Sequence, residues 1–138
     1  MKLSRIKLTN FRNHRSSILN LSPTTIIIGP NAAGKTNILE AIYILSRGKS
    51  FRAEHDKDTI RESADFTEIQ AEIISTPEGR TERSEGARLQ AIAQTGVEKA
   101  GVSERTKLKV IFSLQKGYLS KKFLVNGVAR RQFDFTSN

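Results

Sequence analysis

The 138-residue chain has no cysteine. Disulfides, thiolate metal sites and cysteine nucleophiles are therefore excluded, and the composition suits a reducing compartment. Long apolar runs are also missing: nothing approaches the ~20 residues that a membrane helix needs, and Met1–Arg5 has no apolar core behind it. A soluble, cytoplasmic protein with no membrane partner is expected. Acids are absent from two long stretches. Residues 1–39 carry six bases and no acid, and residues 105–131 carry eight bases and no acid, whereas residues 53–104 hold twelve acids against six bases. Two basic flanks around an acidic middle, with a net charge of +9, favour a polyanionic partner, nucleic acid first, over a merely solubilising surface. The length suits one domain.

Against these absences stands one complete pattern. Gly29-Pro30-Asn31-Ala32-Ala33-Gly34-Lys35-Thr36 is a G-x-x-x-x-G-K-[ST] loop, placed after the apolar Thr24–Ile28 and before a helix-patterned segment. Backbone amides of such a loop form an anion nest, and the following helix turns the positive end of its dipole to the same anion. Lys35 is expected to reach the β and γ phosphates of ATP. The Thr36 hydroxyl is expected to be a hard oxygen ligand for Mg²⁺.

Along the chain, Ile6 and Leu8 alternate with Arg5, Lys7 and Thr9 as a first strand, 10–14 reads as a turn, and 17–21 as a partner strand. Thr24–Ile28 is β-branched and reads as a central strand buried on both faces. Ile38, Ile42 and Leu45, joined by Leu39 and Ala41, form the apolar stripe of a helix that ends near Ser46 with Gly48 as its stop. Tyr43 belongs to its packing. Two further period-two segments, Thr67–Ile73 and Leu108–Leu114, read as strands, and Asn126-Gly127 between apolar residues fits a type I′ hairpin. Residues 75–104 have weak periodicity and read as an excursion from a hairpin, compatible with a short helix over 87–94. The expected class is α/β: a P-loop NTPase with a mixed sheet, one main helix after the loop, and an antiparallel β-rich part over about 66–135.

Leu8-Thr9-Asn10-Phe11-Arg12-Asn13, the loop followed by Asn37-Ile38-Leu39-Glu40-Ala41-Ile42, and Gly48-Lys49-Ser50-Phe51-Arg52 together resemble the RecF family of bacterial DNA repair ATPases. The resemblance runs from Met1 to about Ile60, and the Asn126-Gly127 hairpin with Arg130-Arg131 is similar too. Residues 75–104 match poorly. It implies lobe I of an ABC-type ATPase head, related to SMC heads, that binds ATP and DNA and dimerises around nucleotide. It also implies a role in DNA replication, recombinational repair and the SOS response, beside other recombination mediators that load recombinase at single-strand gaps. By the same resemblance Arg12 and Asn13 lie beside the adenine and α-phosphate, and Asn31 approaches the γ-phosphate; a surface arginine in a turn is the plainer reading of Arg12.

Candidate DNA contacts, to a duplex or a single/double-strand junction, are Arg47, Lys49 and Arg52 after the helix, with helix-end capping as the alternative. Lys121, Lys122, Arg130 and Arg131 flank the hairpin and are expected to cluster at its open end, with edge protection as the alternative. His14 and His55 lack a second ligand at metal spacing and read as turn or solvated residues. No acid follows a second apolar strand and no ABC signature is present, so no catalytic residue is assigned. The 138 residues read as the N-terminal part of a longer head, which should not hydrolyse ATP alone. A regulatory fragment, another SMC-like head or an ATP-dependent nuclease are the competing readings.

Overall fold

A computed structural model describes residues 1–75 and 103–131. Among the described residues six strands form one sheet: β1 (Lys2–Phe11), β2 (His14–Asn20), β3 (Phe66–Ser75), β4 (Glu104–Gln115), β5 (Tyr118–Val125) and β6 (Val128–Arg130). Their order is β2-β1-β3-β4-β5-β6, and every pairing is antiparallel. One long helix, α1 (Lys35–Arg47), packs on one face.

Period-two alternation does the work that the sequence suggests. Ile6 and Leu8 of β1, Ile69 and Ala71 of β3, and Val110 and Phe112 of β4 come into register as one buried face, on which Ile38, Ala41, Ile44 and Leu45 of α1 lie. The alternate residues Arg5, Lys7, Gln70, Glu72, Lys107 and Lys109 fall on the other face. Two tight hairpins continue the sheet. Lys116-Gly117 and Asn126-Gly127 both take positive φ, 48° and 82° in the first and 51° and 82° in the second, the left-handed pair of a type I′ turn. The second was expected from its Asn-Gly; the first was not.

α1 stops where a left-handed Gly48 (φ 74°) returns its N–H to the carbonyl of Ile44 at 2.7 Å. Its buried face is centred one step away from the expected stripe. Ile44 and Glu40 are inside, whereas Leu39 is 58 % exposed.

The central strand expected at Thr24–Ile28 does not form. Ile26 and Ile28 are 82 % and 87 % exposed, and no described strand pairs with this run. Its β-branched composition favours an extended backbone, but a ladder also needs a neighbouring edge, and the described sheet ends at β2 and β6. For the same reason the sheet of the described residues is antiparallel rather than mixed. The segment expected to hold a short helix, 87–94, lies outside the described residues.

Candidate nucleotide site

The glycine-rich loop bends through two left-handed residues, Ala32 (φ 64°) and Gly34 (φ 94°), and passes directly into α1. Gly34 is the N-cap and provides no side chain, no acid occupies the first turn, and the first intrahelical bond is Ile38 N–H to Gly34 O at 3.2 Å. The leading amides of α1 thus have neither a capping oxygen nor a carboxylate, which leaves the positive end of the helix to an external anion. The Lys35 ammonium folds back over the loop and donates to the carbonyls of Gly29 (2.6 Å) and Pro30 (2.7 Å). Thr36 is exposed at the helix start.

The β1–β2 turn is clamped against this loop. Asn13 Nδ2 donates to Ala32 O (3.1 Å), while Asn13 Oδ1 accepts from Asn37 Nδ2 (2.8 Å). Arg52 Nη1 donates to Asn37 Oδ1 (3.1 Å), and Arg61 Nη1 to Asn13 O (2.7 Å). His14 Nε2 lies 3.2 Å from Gly34 O. A carbonyl only accepts, so Nε2 carries the proton, and a neutral ring then accepts at Nδ1 from Ser17 Oγ, 2.8 Å away. A histidine set aside as a turn residue therefore holds the helix N-cap in place.

Arg12 has a different set of partners from the expected nucleotide. Its Nε and Nη2 form a bidentate pair with Glu40 at 3.1 and 2.7 Å, and Nη1 donates to Asp58 O at 2.6 Å. Glu40 is completely buried in the middle of α1 and also accepts from Ser50 Oγ. Ser50 Oγ in turn accepts from the backbone N–H groups of Arg52 and Ala53. Burial alone would raise the carboxyl above its ordinary value of 4.5, but the hydrogen bonds from Arg12 and Ser50 and the charges of Arg12 and Arg52 hold it below. Glu40 joins turn, helix and post-helix loop into one unit, and the sequence reading assigned it no role. One signal was available: it is the only acid among the first 53 residues.

A family model for the AAA ATPase domain matches residues 1–122. The chain belongs to the AAA ATPase domain family. Within it the resemblance to RecF is borne out. The chain is 45 % identical over 74 residues to the DNA replication and repair protein RecF of Lysinibacillus sphaericus, covering 53 % of the chain and 20 % of that protein. It is 47 % identical over 76 residues to RecF of Oenococcus oeni, covering 54 % and 20 %. The chain spans about a fifth of the length of these relatives. Its fold is similar to a solved structure of the recombination mediator protein RecF-ATPrS in the RecFOR pathway: the TM-score is 0.69 at 21 % identity, over 97 % of this chain and 29 % of that one. The RecF-ATP structure gives the same TM-score over 30 % of its chain.

In this ATPase-domain chain the candidate DNA contacts do not form one patch. Lys121 faces the core side: it is ion-paired to Asp56 at 2.8 Å and lies 5.1 and 5.4 Å from the ring centroids of Phe112 and Phe123. Lys122, opposite Ile111, is on the other face, and Arg130 stands opposite Phe123. The expected cluster at the hairpin is corrected by alternation, because adjacent strand residues point to opposite sides. Arg131 follows β6 and is exposed. Arg47 closes α1, Lys49 is exposed just beyond it, and Arg52 is spent on Asn37. Among the described residues no group of three or more histidine or acidic side chains could hold a metal ion, and no helix is long and apolar enough to cross a membrane.

Proposed function

We infer that Gly29–Thr36 binds the polyphosphate of ATP with Mg²⁺, and that residues 1–138 are the N-terminal part of the ATPase head of a RecF-like DNA repair protein. The observation that carries this reading is the uncapped start of α1 behind a loop with left-handed Ala32 and Gly34, with the Lys35 ammonium resting on loop carbonyls. An ammonium held by two neutral carbonyls gains a stronger, charged acceptor when phosphate enters the nest. The donor set fits the group. Loop and helix amides would hold the phosphates, Lys35 would neutralise their β/γ charge, and the exposed Thr36 hydroxyl would supply a hard oxygen to Mg²⁺, the ion that screens the phosphates when bound.

In this reading Asn13 and Asn31 would border the cradle, supported for Asn13 by its bond to Ala32 O and for Asn31 by its position in the loop. Arg12 contributes by fixing the turn through Glu40. The names of the relatives support a role in DNA replication, repair and recombination mediation; to this the reading adds, from the family resemblance alone, a cytoplasmic setting, DNA, other mediators and a second copy of the full-length protein as partners, and recombinase loading and the SOS response.

Lys35→Ala is expected to weaken ATP·Mg²⁺ binding by a charge-assisted contact of about 1.5–3 kcal/mol, roughly 10- to 150-fold. Calorimetric titration of both proteins reads the change. Equal affinities would remove this loop from the nucleotide site.

A further inference from the structure

Thr24–Ile28 has the composition of a strand and, among the described residues, none of the ladder bonds. From Thr25 to Ile28 no backbone N–H or carbonyl is hydrogen-bonded there. The neighbouring contacts, Ser22 N–H to Thr25 Oγ1 (3.0 Å) and Ser22 Oγ to Thr24 O (2.7 Å), only fix the turn before the run. Ile27 packs on the core and holds one face of the run in place, while Ile26 and Ile28 stand in solvent. Pro23 and Pro30 close the run at either end, because proline has no N–H to offer a ladder.

Charge separates this run from the other open edges. The outer strands of the described sheet carry bases, Arg15 in β2 and Arg130 in β6, a common protection of an edge against a second chain. Residues 16–34, by contrast, are the longest uncharged stretch of the chain, with Arg15 and Lys35 at its limits. At a net charge of +9 two copies repel over most of their surface. A two-fold interface sets a patch against the same patch of its mate, so a lone charge at its centre meets its like. An uncharged edge suits that symmetry, whereas an edge shaped for a foreign partner has room for complementary charge.

We propose that Thr24–Ile28 is the contact through which two copies of this chain associate, as an antiparallel pair of strands about a two-fold axis at Ile27. In that register Ile26 of each copy stands opposite Ile28 of the other, so four isoleucines meet on the solvent side while each Ile27 stays on its own core. The second copy supplies the neighbouring edge that the run lacks. Pro30 ends the ladder where the glycine-rich loop begins to turn, so the association is independent of nucleotide and leaves the Gly29–Thr36 reading as it stands. Five residues a side fall short of the ~1,000 Å² of a stable complex, so the dimer is weak, with dissociation expected at about 10–100 μM.

Sedimentation equilibrium of the 138-residue chain over about 1 to 500 μM, with and without ATP·Mg²⁺, reads the association. A monomer–dimer equilibrium that is the same in both conditions is expected. Ile26→Lys/Ile28→Lys and Ile26→Glu/Ile28→Glu should each weaken it by about tenfold or more, with thermal unfolding unchanged because both side chains lie outside the core. Ile26→Thr/Ile28→Thr keeps the branch at Cβ and repeats the measurement without added charge, with a smaller loss expected. An equimolar mixture of the lysine and glutamate variants should restore the dimer, because the register then opposes unlike charges. A chain that is monomeric throughout, or that dimerises only with nucleotide, would overturn the proposal. So would a dimer that the lysine variant leaves intact, a mixture of variants that stays monomeric, or growth past the dimer as concentration rises. A monomer that instead binds the part of the Lysinibacillus sphaericus RecF outside its matched residues would assign the open edge to the rest of a head, and would overturn it equally.

Discussion

Glu40→Ala should destabilise the chain by about 3–5 kcal/mol, the usual cost of removing one partner from a buried ion pair. Glu40 is fully buried, and its removal strands the Arg12 guanidinium and the Ser50 hydroxyl, whose remaining contacts cannot replace a bidentate carboxylate. Urea unfolding reads the loss as a lower midpoint. The companion Arg12→Leu/Glu40→Leu should be much less damaged than the two single changes together, since an apolar pair leaves no charge unpaired. The same carboxylate sets an acid limit. Its folded pKa lies below the ordinary 4.5, so the unfolded chain binds more protons in that interval and stability rises with pH there. Its contribution is complete above 4.5 and is lost as pH falls through the depressed value. Glu40→Gln should flatten that acid slope; a variant as stable as the wild type and equally acid-sensitive would show that the pair holds nothing together.

The contrast between Glu40 and Ile26 shows what pattern could and could not reveal. Alternation placed Ile6, Leu8, Ile69, Val110 and Phe112 on one face correctly, because period two is a local property of a strand. The helix and its glycine stop were legible for the same reason: stripe and left-handed C-cap are written within a few residues. Ile26 and Ile28 carry an equally strong β signal, yet whether a strand is buried depends on edges supplied by distant chain. Glu40 fails in the other direction. Hydropathy assigns a glutamate to solvent, and only the converging Arg12, 28 residues earlier, and Ser50, ten later, make its burial tolerable. The phosphate loop was read from its motif, but its supports were not: His14 and Asn37 act through contacts 20 and 24 residues away in sequence.

Gly34→Ala is expected to harm both stability and nucleotide binding more than Lys35→Ala harms binding, because it strikes the loop and its support together. Gly34 has φ 94°, a conformation that costs a side-chain-bearing residue about 1–3 kcal/mol. A Cβ there would also stand 2.5 Å from His14 Nε2 and 2.6 Å from Asn13 Oδ1. Neither side chain can simply swing aside, since His14 is held between Ser17 and Gly34 O, and Asn13 between Ala32 O and Asn37. If the turn retreats, these bonds break at about 0.5–1.5 kcal/mol each. If the loop retreats instead, the cradle at the head of α1 opens. Thermal unfolding and ATP calorimetry should therefore fall together in Gly34→Ala. Adding Asn13→Ala and His14→Ala should relieve the clash without relieving the φ strain, so a partial recovery of stability with no recovery of the lost turn contacts separates the two causes. An alanine variant that melts and binds ATP like the wild type would mean that the β1–β2 turn does not brace the phosphate loop.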